Sequence, residues 1–330
     1  MCRVCFGDEE DGPLVQPCAC RGSAKLIHKH CLERWRRMGG REDAAYRCGQ
    51  CMDYYHDALS IELLSARLQA ERTNGQYITF ALNELALELQ AQRKNNEAEP
   101  LFREALEVER ETLGNRHPDT LSTINSLGLL LQNKGDLAAA APLFREALEG
   151  QRETFGSQHP TTLRSVSSLG MLLKAKNELG AAELLLREAL ETRRETLGNR
   201  HADTLTSIGE LGGLLKSKGG EGDFAAAEPL FREALVTRRE TLGNRHPTTL
   251  RSVSRLGLLL EDKDDLTAAE PLLREVVEGR RETLGNRHPD TLTSIGNLGR
   301  LLKSKGDLAA AVPLLRKVVE VRRKTLGIRH

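Results

Sequence analysis

The stretch ETLGNRHPDTLSTINSLGLLLQNKGDLAAAAPLFREALEGQR, residues 111–152, is one copy of a unit that fills most of the chain. Its opening ETLG recurs at Glu111, Glu153 (as ETFG), Glu195, Glu240, Glu282 and Lys324 (as KTLG). The intervals are 42, 42, 45, 42 and 42, the three extra residues lying around Gly219-Gly220-Glu221. A fixed period of this size marks a solenoid, in which each unit buries its apolar face against the next. Within the quoted copy, Leu121, Ile124, Leu127, Gly128 and Leu131 have helical spacing and predict the inner face of a helix A. Lys134-Gly135 stops that helix, and Asp136 is placed to cap a helix B. Leu137, Ala140, Phe144, Ala147 and Leu148 then form the packing face of helix B. Gly114 suits a helix C-terminus, and Pro118 a first helical turn, where its missing N–H is harmless.

Six such pairs are expected over 77–330. Small residues at Gly128, Ala140 and Ala147 allow close approach of neighbouring helices. The pattern resembles the tetratricopeptide repeat, and the eight-residue extension, as in RETLGNRHPDT, resembles the longer repeats of kinesin light chains. Pro100, Pro142, Pro229, Pro271 and Pro313 share a place early in helix B, with Leu184 the exception. His117, His159, His201, His246, His288 and His330 recur once per unit and read as turn structure rather than as metal ligands. By the geometry that the resemblance implies, Ser122, Asn125, Leu129 and Gln132 line a concave face. Equivalent positions include Arg164, Lys174, Lys216, Arg251, Arg300 and Lys303, against Glu261, which suggests a mildly basic groove for an acidic peptide. A solvated charged face is the plainer reading.

Ahead of the array, residues 53–76 contain DALSIELLSARLQAER, with Leu59, Leu63, Leu64 and Leu68 on one helical face. This predicts a connecting helix that closes the open end of the first repeat, or else a spacer, stopped by Thr73-Asn74-Gly75.

Residues 1–52 carry the chemistry. All seven cysteines, Cys2, Cys5, Cys18, Cys20, Cys31, Cys48 and Cys51, fall here. With His28 the spacing is C-x2-C, x12, C-x-C, x7, H-x2-C, x16, C-x2-C. Eight ligands in four pairs suffice for two tetrahedral zinc ions, since structural zinc takes thiolates and imidazoles in closed four-coordinate sites. A segment of this size gains only about 3–5 kcal/mol from its own core, against roughly 10–16 kcal/mol for a bound structural zinc, so the metal is expected to decide its folding. Loops are read at 8–12 and 39–43, and a short helix over Leu32 to Met38. His30 reads as a solvated neighbour of the ligands.

The ligand order is shared with PHD fingers, but the single residue between Cys18 and Cys20, the seven before His28, and Trp35 four places after Cys31 resemble the RING-CH family of ubiquitin ligases. That resemblance implies a cross-brace, with Cys2, Cys5, His28 and Cys31 on one zinc and Cys18, Cys20, Cys48 and Cys51 on the other. It also implies docking of a ubiquitin-conjugating enzyme on Val4, Trp35 and the loop around the last pair. Many active RING domains have Pro after the seventh ligand and a cation after the eighth, where this chain has Gly49 and Met52.

The expected fold is therefore a small two-zinc cross-brace RING-CH domain followed by an all-α tetratricopeptide-repeat solenoid. The expected activity is ubiquitin ligation without a covalent intermediate, the repeats holding a protein or peptide substrate. A non-enzymatic zinc-binding adaptor and a PHD-like histone reader are the rival readings.

Composition fits these classes. The chain is 39% hydrophobic and 29% charged with a net charge of +1, which argues for neither nucleic acid nor an anionic membrane as partner. It has no apolar run long enough to span a bilayer and no signal-like N-terminus, and its cysteines read as metal ligands of a reducing compartment, cytoplasm or nucleus. The first ligand at residue 2 and the ending GIRH, where earlier copies continue into another helix, read as cut edges or as a vestigial last turn.

Overall fold

The computed structural model describes residues 14–15, 27–28, 58–74 and 78–326. The chain divides into two compact units, Met1–Ser157 and Gln158–His330.

In the first unit, β1 (Leu14–Val15) and β2 (Ile27–His28) form an antiparallel pair, Leu14 opposite His28 and Val15 opposite Ile27. Among the described residues five helices follow: α1 (Ala58–Asn74), α2 (Ile78–Ala91), α3 (Asn95–Thr112), α4 (Pro118–Lys134) and α5 (Leu137–Phe155). Each packs on the next, and α2 also touches α4. Helix α1 buries Leu64 and Leu68 and lies against α2, where Arg67 bridges to Glu84 at 3.1 Å and stands 5.2 Å from the centre of the Phe80 ring.

The second unit holds α6 (Pro160–Ala175), α7 (Leu179–Leu197), α8 (Ala202–Lys218), α9 (Glu221–Leu242), α10 (Pro247–Asp262), α11 (Leu266–Leu284), α12 (Pro289–Ser304) and α13 (Leu308–Leu326). Again successive helices pack, with further contacts between α6 and α8, α8 and α10, and α10 and α12. Among the described residues, α2 to α13 thus make six helix pairs. Every inner-face residue expected for helix A of the quoted copy is buried, from Leu121 through Leu131 on α4; on α5 Ala140, Phe144, Ala147 and Leu148 are buried, while Leu137, in the first turn, is half-buried.

The periodic residues have clear physical roles. A Cβ on Gly128 would lie 3.1 Å from the Phe144 ring, so the missing side chain is what seats the fully buried phenylalanine between α4 and α5. Asp136 caps α5, its carboxylate accepting from the Ala139 N–H at 3.0 Å. Five of the six repeated histidines are also caps, and His330 lies outside the described residues. His117 Nδ1 accepts from the Asp119 N–H at 3.2 Å, and His159, His201, His246 and His288 do the same at 3.1–3.3 Å, each just ahead of a helix A. Prolines 100, 142, 229, 271 and 313 sit inside helix B, as expected. The three-residue insertion lengthens a helix: α9 has 22 residues where α5, α7, α11 and α13 have 19.

Candidate functional site

Of the expected zinc ligands, His28 has a described backbone, in β2. Cys2, Cys5, Cys18, Cys20, Cys31, Cys48 and Cys51 lie outside the described residues, as do the docking positions Val4, Trp35, Gly49 and Met52 and the loops and short helix expected around them. Among the described residues no cluster of three or more His, Cys, Asp or Glu could hold a metal. The donor set itself fits zinc: seven thiols and one imidazole in four close pairs.

The groove residues can be placed on their helices. On α4, Ser122 is exposed, while Asn125, Leu129 and Gln132 are half-buried. In the second unit, three of the six expected cations have partners within the chain. Arg300 of α12 forms a two-pronged pair with Glu261 of α10, both contacts at 3.0 Å. Lys216 of α8 pairs with Asp262 of α10. Lys174 of α6 donates to the Gly213 carbonyl at 2.6 Å, and burial, then Arg255 and Lys216, hold its ammonium below the usual lysine range. Arg164, Arg251 and Lys303 are exposed.

Two further groups of charges share this level of the second unit. Arg255 crosses α8 so closely that a Cβ on Gly209 would sit 2.0 Å from its Nη1. Burial and then Arg251 depress its pKa, while burial raises that of Glu210. The other group is a register two residues before each ETLG. There Arg193 donates to Ser167 at 3.0 Å and to Ser207, Arg238 to Ser252 at 2.6 Å and to the Leu205 carbonyl at 2.9 Å, and Arg280 to Ser294 at 2.8 Å. These arginines tie the helix end to the next helix A. Their common spacing from ETLG was the available signal, but an Arg beside other charges on a helix reads equally well as a solvated face.

In the first unit the same register holds Glu109 and Gln151. Glu109 is 1% exposed and accepts from Asn83 Nδ2 at 2.9 Å, and burial raises its carboxyl pKa. It borders a cavity of about 160 Å³ between α2, α3 and α4, lined also by Phe80, Asn83, Leu87, Asp119 and Ser122.

Comparison with known proteins agrees with this architecture. The tetratricopeptide repeat profile matches residues 77–153, 123–195, 219–282 and 252–324, and the RING-variant domain profile matches residues 2–51. Over 59 residues the chain is 42% identical to the E3 ubiquitin-protein ligase MARCHF5 of Xenopus laevis, covering 16% of this chain and 21% of that protein. It is 54% identical over 35 residues to the ERAD-associated E3 ubiquitin-protein ligase DOA10 of Saccharomyces cerevisiae, covering 10% of this chain and 3% of that one. The chain thus spans about a fifth or less of these curated relatives. The crystal structure of a Podosopora anserina kinesin-light-chain candidate with nearly identical TPR-like repeats aligns with a TM-score of 0.57 at 27% identity, over 64% of this chain and 99% of that one. The chain belongs to the tetratricopeptide-repeat family and carries a RING-variant domain, a zinc-binding finger, at its N-terminus.

Proposed function

We propose that this protein is a RING-type ubiquitin ligase in which the N-terminal domain recruits a charged ubiquitin-conjugating enzyme and the repeats recruit the protein to be modified. The observation that carries this reading is the RING-variant match over residues 2–51, which takes in every cysteine of the chain and His28. Similarity to proteins named as E3 ubiquitin ligases is confined to about this segment and supports the same reading.

Two zinc ions would be held in a cross-brace, Cys2, Cys5, His28 and Cys31 on one and Cys18, Cys20, Cys48 and Cys51 on the other. The zincs supply folding energy and no reactive group. Catalysis is then positioning: Val4, Trp35 and the loop bearing Gly49 and Met52 hold the conjugating enzyme so that its thioester faces an incoming lysine. The array supplies the complementary half, a surface built from successive A helices on which Arg164, Arg251 and Lys303 are exposed to an acidic segment. None of the described helices is long and apolar enough to cross a membrane. We place the protein in the cytoplasm or nucleus.

The test is self-ubiquitination of the full chain with activating enzyme, ubiquitin, zinc and a panel of conjugating enzymes. Chains that vanish in His28→Ala, and that weaken in Trp35→Ala while two zincs stay bound, are the expected outcome. A second reading, a non-enzymatic adaptor, is favoured by Gly49 and Met52, which stand where many active RING domains have Pro and a cation. Silence across the panel with both zincs bound would move the assignment to it.

A further inference from the structure

The cavity between α2, α3 and α4 has an unusual chemistry. Two of its lining residues each carry a buried acceptor without a hydrogen-bond partner, Glu109 Oε2 and Asn83 Oδ1. The Asn83 amide is already used, Nδ2 donating to Glu109 Oε1 at 2.9 Å and to Thr123 Oγ1 at 2.8 Å. A buried acceptor without a donor is destabilising, and more so when it is charged. Hydroxyls line the site at Thr79, Ser122, Thr123 and Ser126, and Thr123 hydrogen-bonds Glu109, but these donors are neutral; what the described lining lacks is positive charge. Among the described residues no Lys or Arg lines it, and Asp119 adds a second carboxylate at its edge. The nearby His117 offers Glu109 no proton from Nδ1, which accepts the Asp119 N–H in capping α4. Arg67, over the Phe80 ring, is paired with Glu71 and Glu84.

The second unit shows what this register holds when it is satisfied internally. At the position of Glu109 stand Arg193, Arg238 and Arg280, whose guanidinium groups donate to serines of the adjoining A helices. The first repeat has the opposite charge at the same place, and among the described residues lining the cavity no Lys or Arg matches it. The cavity's remaining wall suits a cation carried on an aliphatic stem: Phe80 and Leu87 are 53% and 49% exposed. A lysine or arginine side chain lays its methylenes on such apolar surface while its head seeks oxygen acceptors. About 160 Å³ is room for one side chain rather than for a folded element.

We propose that this cavity is a specificity pocket for one lysine or arginine side chain of an extended segment of the partner protein, with Glu109, Asn83 and Asp119 receiving its N–H groups. The proposal rests on the reading of the array as a protein-binding surface and is independent of ligase activity.

The experiment is selection of a random octapeptide display library on the full chain, followed by affinity measurement of the enriched peptides. Enrichment of Lys or Arg at one position is expected. Replacing that residue by norleucine, or Glu109 by Gln, should weaken binding about tenfold, the worth of one charge-assisted hydrogen bond. Glu109→Gln keeps the shape of the site and relieves a buried carboxylate, so its thermal melting is measured alongside to establish folding. Should that variant unfold, Asp119→Asn, at the exposed edge, provides the same comparison with a smaller loss. Peptides that bind with no cation preference, or with a preference unchanged in both variants, overturn the pocket while leaving the array a protein-binding surface; a cavity that holds only water gives this result. Absence of any enriched peptide overturns both.

Discussion

Arg300 and Glu261 face each other across one whole repeat, the guanidinium of α12 meeting the carboxylate of α10 through two contacts of 3.0 Å. Glu261 is only 10% exposed in its side chain, and the pair holds the Arg300 guanidinium above its ordinary pKa. A cation so engaged has less to offer a ligand than one facing water. The basic surface of the second unit therefore divides into paired cations, Lys216 and Arg300, and exposed ones, Arg164, Arg251 and Lys303.

This division predicts unequal effects on acidic-peptide binding. Arg164→Glu combined with Arg251→Glu should reduce affinity for acidic peptides by more than about tenfold and flatten the salt dependence of binding. Arg300→Ala should change it by about twofold or less. Fluorescence anisotropy with acidic and neutral peptides of equal length makes the comparison. Equal affinity for the two peptide classes in the unmodified protein would remove the basic groove from the account.

The turn between helices A and B calls for a left-handed residue at one register. Gly135, Gly219 and Gly306 provide it with φ of 78–86°, but Arg93, Asn177 and Asp264 occupy the same place at φ of 60–64°. Left-handed backbone costs an ordinary side chain roughly 1–2 kcal/mol, less for Asn and Asp. Arg93→Gly should therefore stabilise the first repeat by about 1 kcal/mol, against which the greater freedom of glycine in the unfolded chain works. Asn177→Gly should gain less. Denaturant titration of each variant decides it, and a larger gain at Asn177 than at Arg93 would contradict the argument.

Much of this architecture is legible in the sequence because it is local and repeated. The period of ETLG, the spacing of Leu121, Ile124 and Leu127, and the Gly135-Asp136 punctuation are set by contacts within a unit or to its neighbour. The histidines were legible as turn residues but not as caps, because an imidazole is not among the usual capping side chains and only the backbone angle at His117 turns Nδ1 onto the Asp119 N–H. The partners of Arg300 and Lys216, 39 and 46 residues away, depend on how one repeat is rotated against the next, which spacing does not state. The inversion from Glu109 to Arg193 is visible in the sequence as a substitution. Its meaning needs the burial of both. For the zinc ligands, the spacing of eight donors was legible, but their arrangement lies outside the described residues.

Stability should vary with pH in two stages of opposite sign. Glu99 is held below the usual carboxylate range by hydrogen bonds from Lys134 and Arg103, Glu183 likewise by Lys218 and Arg187, and Glu270 by Lys305. Groups with depressed pKa contribute stability above their unfolded pKa, and it is lost as the pH falls through the folded value. Burial raises Glu109 and Glu210, so each takes up its proton at a higher pH folded than unfolded. Their contribution grows as the pH falls toward the unfolded value near 4.3. The melting temperature should thus rise modestly from neutral pH to about pH 5 and fall below about pH 4. Glu109→Gln with Glu210→Gln should abolish the rise and leave the fall. A rise that persists in the double variant would assign it to other groups.

Zinc removal separates the two parts of the molecule. The expected ligands all lie in residues 1–52, and the described repeats contain no cluster able to hold a metal. The repeats are held by buried aliphatic and phenylalanine contacts such as Phe144 in the cleft at Gly128, which no chelator addresses. A tight chelator at neutral pH should therefore release two zinc ions per chain and eliminate ubiquitin transfer. The helical circular dichroism and the melting transition of the array should stay nearly unchanged. Readdition of zinc to the reduced protein should restore transfer, because thiolate ligands rebind the metal as the domain refolds. Release of one ion only would refute the eight-ligand cross-brace, and collapse of the helical signal would show that the array depends on the metal domain for its stability.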